Sequence, residues 1–119
     1  MLEAPDIIFA TLADPNRRAI FERLCHQGEQ TVRALTTWAQ ISQPAVSKHL
    51  CLLKLAGLVL DRREGRNTYY SARPVALTPL IDWTSQMSSL WKSDDAHEPL
   101  LVTDRPTASV PPTRALDKH

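Results

Sequence analysis

Residues Ser42 to Leu55 read S-Q-P-A-V-S-K-H-L-C-L-L-K-L, and two faces separate when the stretch is wound as a helix. Val46, Leu50 and Leu53 fall at i, i+4 and i+7 and make one apolar stripe. Gln43, Ser47, Lys48 and Cys51 fall on another side, which is polar and carries a positive charge. Ser42 suits the N-cap, because its hydroxyl can accept one of the first orphan backbone N–H groups. Pro44 sits in the first turn, where its missing donor costs nothing. Gly57 follows the last periodic residues and suits a left-handed stop. A helix with one apolar face and one face of Gln, Ser, Lys and His has the chemistry to enter a DNA major groove. Amides and hydroxyls reach base edges there, and a lysine takes a phosphate or a guanine. Taken alone, the stretch fits an ordinary amphipathic helix equally well, so its neighbours have to decide.

On the N-terminal side, Thr31 caps a helix from Val32 to Ala39 with Val32, Leu35, Trp38 and Ala39 as its apolar positions. Two short helices joined by a tight turn, the second polar on its outer face, make a helix-turn-helix. The turn position that often carries Gly for its positive φ is Gln40 here, which takes that conformation only at a cost. On the C-terminal side the period changes. Val59 to Glu64 reads as a strand, Gly65-Arg66-Asn67 as a turn, and Thr68 to Ala72 as a second strand rich in β-formers. A basic-tipped hairpin directly after a helix-turn-helix is a wing. Arg62, Arg63, Arg66 and Arg73 would then meet the DNA backbone or a minor groove; a solvated hairpin with surface arginines is the plainer alternative.

Further out, Pro5 to Leu12 is a short helix with Ile8, Phe9 and Leu12 on one side. Asp14 and Pro15 start another, which runs to about Gln27 and ends at Gly28. Arg17 and Arg18 near its N-terminus oppose the helix dipole, which reads as solvated charge before it reads as phosphate contact. At the other end Thr78 and Pro79 make a cap and a first position. Leu80, Trp83, Met87, Leu90 and Trp91 then recur at helical spacing. That stripe exceeds what the edge of one small domain needs, and a partner helix from a second subunit accounts for it, together with the first helix. Packing within the subunit is the alternative.

The totals agree with one small domain followed by a tail. At 119 residues the chain buries a modest core, and sharing apolar surface with a second copy is an advantage. The net charge is only +1, but residues 42–73 carry six Lys/Arg against two Asp/Glu, so the positive charge is concentrated there. Residues 93–119 hold four of the nine prolines with Thr, Ser and acidic residues and no periodicity, and are expected to be disordered. No apolar run approaches the ~18 residues of a spanning helix, and nothing resembles a signal peptide, so a cytoplasmic protein without a membrane role is expected. Cys25 and Cys51 form neither a disulfide framework nor a metal knuckle. His26 and His49 have no evident nucleophile or carboxylate partner, and there is no phosphate-cradling glycine loop, so catalysis is not expected.

Three runs in order carry a resemblance: L-A-D-P-N-R-R-A-I-F-E-R-L, then I-S-Q-P-A-V-S-K-H-L-C-L-L-K-L-A-G-L-V, then R-R-E-G-R-N-T-Y-Y. Over residues 5–92 the chain resembles the ArsR-type winged-helix repressors, in particular their metal-independent branch, which includes the SdpR-like autorepressors. The resemblance implies a mainly α fold of five helices with a two-stranded β-hairpin wing, dimeric through the first and last helices, that occupies an operator. It assigns Gln43, Ser47, Lys48 and His49 to the recognition helix, and Arg63 and Arg66 to the wing; Ser42 and Ala45 on the same helix and Arg62 on the hairpin are expected DNA contacts beside them. It pairs the last helix, with Trp83 and Leu90, across the dimer; Ile8, Phe9, Leu12, Leu80, Met87 and Trp91, from the apolar stripes of the first and last helices, complete the expected dimerisation set. Metal-sensing members carry cysteines on the helix before the recognition helix, or Asp/His sets on the last. Here Val32 to Ala39 has neither Cys nor His, and the last helix has only Asp82, so no metal site and no cofactor is expected.

The expected function is therefore a homodimeric, sequence-specific repressor on an imperfect palindrome of double-stranded DNA, in its own or a neighbouring promoter. Its signal would be a small-molecule or protein inducer, or none. Two alternatives stand beside it. A thiol-responsive repressor would use Cys51, one turn past Ser47 on the outer face. A winged-helix protein-interaction module would lack the steep salt dependence of DNA binding.

Overall fold

The computed structural model describes residues 3–93 of the 119. The described residues fall into two units, 3–83 and 84–93. Helix α1 (Ala4–Ala13) is followed by α2 (Pro15–Gln27), a short strand β1 (Gln30–Thr31), α3 (Val32–Ala39) and α4 (Gln43–Leu55). Strands β2 (Val59–Glu64) and β3 (Asn67–Ala72) follow, then a 3₁₀ turn (Pro74–Leu77) and α5 (Thr78–Ser93). The boundary between the units falls within α5, so the described part of the second unit, 84–93, is helical. The expected disordered segment lies, beyond Ser93, outside the described residues. Among the described residues no helix is long and apolar enough to cross a membrane.

Local chemistry sets these boundaries. Asp14 caps α2 by accepting the Arg17 backbone N–H at 3.0 Å, with Pro15 in the first turn. Thr31 caps α3 through the Ala34 N–H at 3.0 Å. The guanidinium groups of Arg17 and Arg18, expected as solvated charge, point backwards, Arg17 half-buried and Arg18 still exposed. Arg17 Nη1 donates to the Thr11 carbonyl at 3.0 Å and Arg18 Nη1 to that of Leu12 at 2.7 Å. They satisfy carbonyls that the end of α1 would otherwise leave orphaned.

The core gathers Ile8 from α1, Ile20, Phe21 and Leu24 from α2, Leu35 from α3, and Val46, Leu50 and Leu53 from α4. Leu58 and Val59 close it where the chain leaves α4 for the sheet. Ile8, expected at a subunit interface, is a core residue only 4% exposed. Leu12 and Leu80, from the same expected set, are partly buried against this core. Neighbouring apolar positions on one short helix can face either way, and at Ile8 the side chain turns into the core.

The sheet has three antiparallel strands in the order β1-β3-β2, one more than the two-stranded wing expected. Arg62 pairs with Tyr69 across β2 and β3, and Tyr69 pairs with Thr31 of β1, so the three residues form one row. β1 spans two residues, too few for any alternation to show in the sequence. The last helix also begins differently from expectation. Thr78 lies inside α5, and its hydroxyl donates back to the Val75 carbonyl at 2.7 Å, the 3₁₀ turn leading directly into the helix.

Candidate nucleic-acid interface

The turn between α3 and α4 is made by a residue in a conformation it disfavours. Gln40 has φ 59 and ψ 34, the left-handed region, and its N–H reaches the Thr36 carbonyl at 3.0 Å. It is the one non-glycine residue with positive φ among the described residues. Two residues later Ser42 is extended, and its Oγ accepts the Ala45 N–H at 3.2 Å to open α4.

The packing of α4 then decides what faces out. Val46, Leu50 and Leu53 are fully buried, which fixes the helix's rotation about its axis. Ser42, Gln43, Pro44, Ser47, Lys48 and Cys51 are consequently exposed on the opposite side. Ala45 is partly covered. His49, assigned from sequence to DNA contact, is half-buried; its Nδ1 is inaccessible and has no hydrogen-bond partner among the described residues. Its imidazole lies near enough to Asp14 to help hold that carboxyl below its ordinary value, although the larger cause is the hydrogen bond from the Arg17 backbone. Cys25, read as a small inert apolar residue, is exposed on α2, with partial desolvation pushing its thiol up.

The end of α4 is tied to the wing. Gly57 has φ 79; its N–H donates to the Lys54 carbonyl at 2.9 Å and the Leu58 N–H to that of Leu53 at 2.9 Å. This is the Schellman arrangement, and it turns the chain sharply into β2. Arg73, expected to face DNA, sends its Nη1 to the Gly57 carbonyl at 3.3 Å and its backbone N–H to that of Leu58 at 2.8 Å. Lys54 makes a 3.0 Å ion pair with Asp61, so its ammonium is held above its ordinary value.

At the wing tip, Glu64 pairs with Asn67 and leaves Gly65 and Arg66 as a two-residue loop. Gly65 has φ 63 and Arg66 does not have positive φ, the pattern of a type II′ hairpin. Arg63 and Arg66 are exposed and make no hydrogen bond or ion pair among the described residues. Arg62 differs. It is held by Glu29 and Glu64, a partner set hidden from sequence because Glu29 lies 33 residues away. The basic surface is thus narrower than the charge count implied: Lys48 on the helix, and Arg63 and Arg66 on the wing. No group of three or more His, Cys, Asp or Glu among the described residues is arranged to hold a metal ion.

A family model for the bacterial regulatory proteins of the arsR family matches residues 14–60, from the cap of α2 into β2. An arsenic resistance transcriptional regulator of Pseudomonas putida is 32% identical over 109 residues, 89% of this chain and 85% of that protein. The chain belongs to the ArsR family. The transcriptional repressor SdpR of Bacillus subtilis is 36% identical over 76 residues, 64% of this chain and 83% of the repressor. A homodimeric winged helix-turn-helix DNA-binding domain of Mycobacterium bovis, solved by solution NMR, superposes with a TM-score of 0.56 at 30% identity, covering 70% of this chain and 76% of that one. As an ArsR-family protein this chain is a transcriptional regulator of the winged helix-turn-helix type, not an enzyme.

Proposed function

We propose that this ArsR-family chain is a homodimeric repressor that binds an imperfect palindrome of double-stranded DNA, in its own or a neighbouring promoter, in the cytoplasm. One observation carries the reading. The core-facing side of α4 is completely buried, and its opposite side presents Ser42, Gln43, Ser47 and Lys48 to solvent. A helix so anchored projects amides, hydroxyls and one cation at groove depth. Arg63 and Arg66 at the wing supply backbone or minor-groove contacts on its flank.

Residues 1–92 then serve both DNA binding and dimerisation. Phe9 and Trp83, 42% and 43% exposed, form an apolar surface on α1 and the start of α5, and Met87, Leu90 and Trp91 are exposed further along α5. A two-fold pairing through such surfaces would set two recognition helices about 34 Å apart, one turn of DNA, hence a palindromic operator. Occupying the operator excludes polymerase. An inducer, small molecule or protein, would act by favouring a dimer with the wrong spacing.

Fluorescence-anisotropy titration tests the proposal: the DNA upstream of the chain's own gene against a scrambled duplex, at several salt concentrations. Tight binding to the native duplex alone, weakening steeply with salt, is the expected result. Equal or absent binding to both duplexes, without the steep salt dependence, would favour a protein-interaction module.

A further inference from the structure

The wing has a fastening that the DNA-binding reading does not use. Arg62 lies on β2, an edge strand, and its side chain crosses the sheet. Its guanidinium carbon stands 4.5 Å from the ring centroid of Tyr69 on the central strand β3. Beyond that ring it reaches Glu29, which immediately precedes β1. Nε donates to Glu29 Oε2 at 2.8 Å and Nη2 to Glu29 Oε1 at 2.8 Å, a two-pronged fork. Nη1 donates to Glu64 Oε1 at 2.6 Å. All three nitrogens are engaged by carboxylates, and one face of the group lies on an aromatic ring.

Three consequences follow. First, Glu29, Arg62 and Glu64 together carry one net negative charge, which repels a phosphate. Second, the fork bridges residues 33 positions apart and joins the wing to the segment leaving α2. Third, Asp61, on the opposite face of β2 by strand alternation, takes Lys54 of α4 at 3.0 Å. The base of the wing is therefore tied on one face to the recognition helix and on the other to the α2–β1 connection. A single exposed ion pair contributes little. A fork, a second carboxylate and a ring beneath share the ordering of one side chain among several interactions.

We propose that Arg62 is a positioning residue that sets the wing's angle to the recognition helix through Glu29, and that it does not itself contact DNA. This rests on the reading of the α4 face as the DNA surface. Arg63 and Arg66 are the wing's DNA contacts, and Arg62 holds them in place.

Glu29→Gln gives the decisive sign. Simple electrostatics predicts that removing a negative charge tightens binding to a polyanion. A positioning role predicts the reverse: Glu29→Gln and Arg62→Ala each weaken binding to the upstream duplex about fivefold, and the double variant is no worse than either. Arg62→Lys, which cannot fork, leaves binding about as weak as Arg62→Ala. The slope of log K against log salt is unchanged in Arg62→Ala, while losing a phosphate contact lowers it by about 1. A DNA-free readout keeps this separate from the DNA reading. In the free protein, amides of β2 and β3 exchange faster in Glu29→Gln and Arg62→Ala, and not in Arg63→Ala. Tighter or unchanged binding by Glu29→Gln, a lowered salt slope in Arg62→Ala, or unchanged exchange in both variants would each overturn the proposal. If wild-type protein bound no duplex at all, the DNA reading would fail and exchange alone would judge the fastening.

Discussion

The ring of Trp83 stands edge-on to that of Phe9, with centroids 5.4 Å apart and planes at 85°. The contact joins the first turns of α5 to the middle of α1, yet both rings keep about two-fifths of their surface exposed. An aromatic pair in this geometry is a rigid, preorganised patch. Phe9→Ala is expected to weaken self-association about tenfold or more while leaving the monomer folded, because truncated aromatic anchors dominate interface energetics. Sedimentation velocity over a dilution series checks it. A wild type that is already monomeric, or a variant that dimerises unchanged, would remove this patch from the interface.

Gln40 supplies a stability prediction of opposite sign to most substitutions. Its φ of 59 places a side chain in the left-handed region, where glycine has no Cβ to strain. Gln40→Gly is expected to stabilise the fold by about 0.5–1 kcal/mol, read as a higher urea midpoint with unchanged slope. A lower midpoint would mean that the Gln40 side chain makes a compensating contribution.

The helices and the hairpin were legible because their signals are local. Ser42, Thr31 and Asp14 announce N-caps, Gly57 announces a stop, and the apolar stripe of α4 matches the burial of Val46, Leu50 and Leu53. Even the awkward turn at Gln40 was visible, as a residue without glycine's freedom where the motif needs positive φ. What stayed hidden depends on partners distant in sequence. β1 exists only because Thr31 and Gln30 find Tyr69 and Tyr70. Arg62 looked like another wing cation until Glu29 was placed beside it. His49 shares a helix with exposed Lys48, but one step around the axis turns its Nδ1 inward. Charge counting sees such residues as equivalent; packing does not.

Ser47 and Lys48 are adjacent, exposed and differently equipped. Ser47→Ala is expected to reduce discrimination between the native and scrambled duplexes by about 0.5–1.5 kcal/mol, the worth of one neutral hydrogen bond to a base edge. Lys48→Ala is expected to weaken both duplexes by a similar factor and to lower the salt slope by about 1. The titrations that define the operator measure both. Retained discrimination in Ser47→Ala would withdraw its assignment as a base reader.

Asp14 makes stability depend on acid. Its carboxyl is held below the ordinary value of 3.8, chiefly by the Arg17 backbone N–H, with the charges of His49 and Arg17 adding. Because the folded value is the depressed one, the contribution is fully present above the ordinary carboxylate range and is lost as pH falls through the folded value. Asp14→Ala is expected to lower stability by about 1 kcal/mol near neutral pH. The difference between wild type and variant should shrink as unfolding is followed down to about pH 2. A difference that stayed constant with pH would show that the cap acts without its charge.

The outward side chains of α4 bear on how such a regulator diverges. Gln43, Ser47 and Lys48 make no side-chain hydrogen bond or ion pair among the described residues, while the opposite face of the same helix is buried in the core. On the proposed DNA-binding reading, substitutions at these three positions alter what is read without disturbing what is folded. A duplicated copy of the gene would then drift to a new operator through single steps, each remaining a stably folded protein. Retargeting by design should be similarly permissive there, and unforgiving one residue away at Val46.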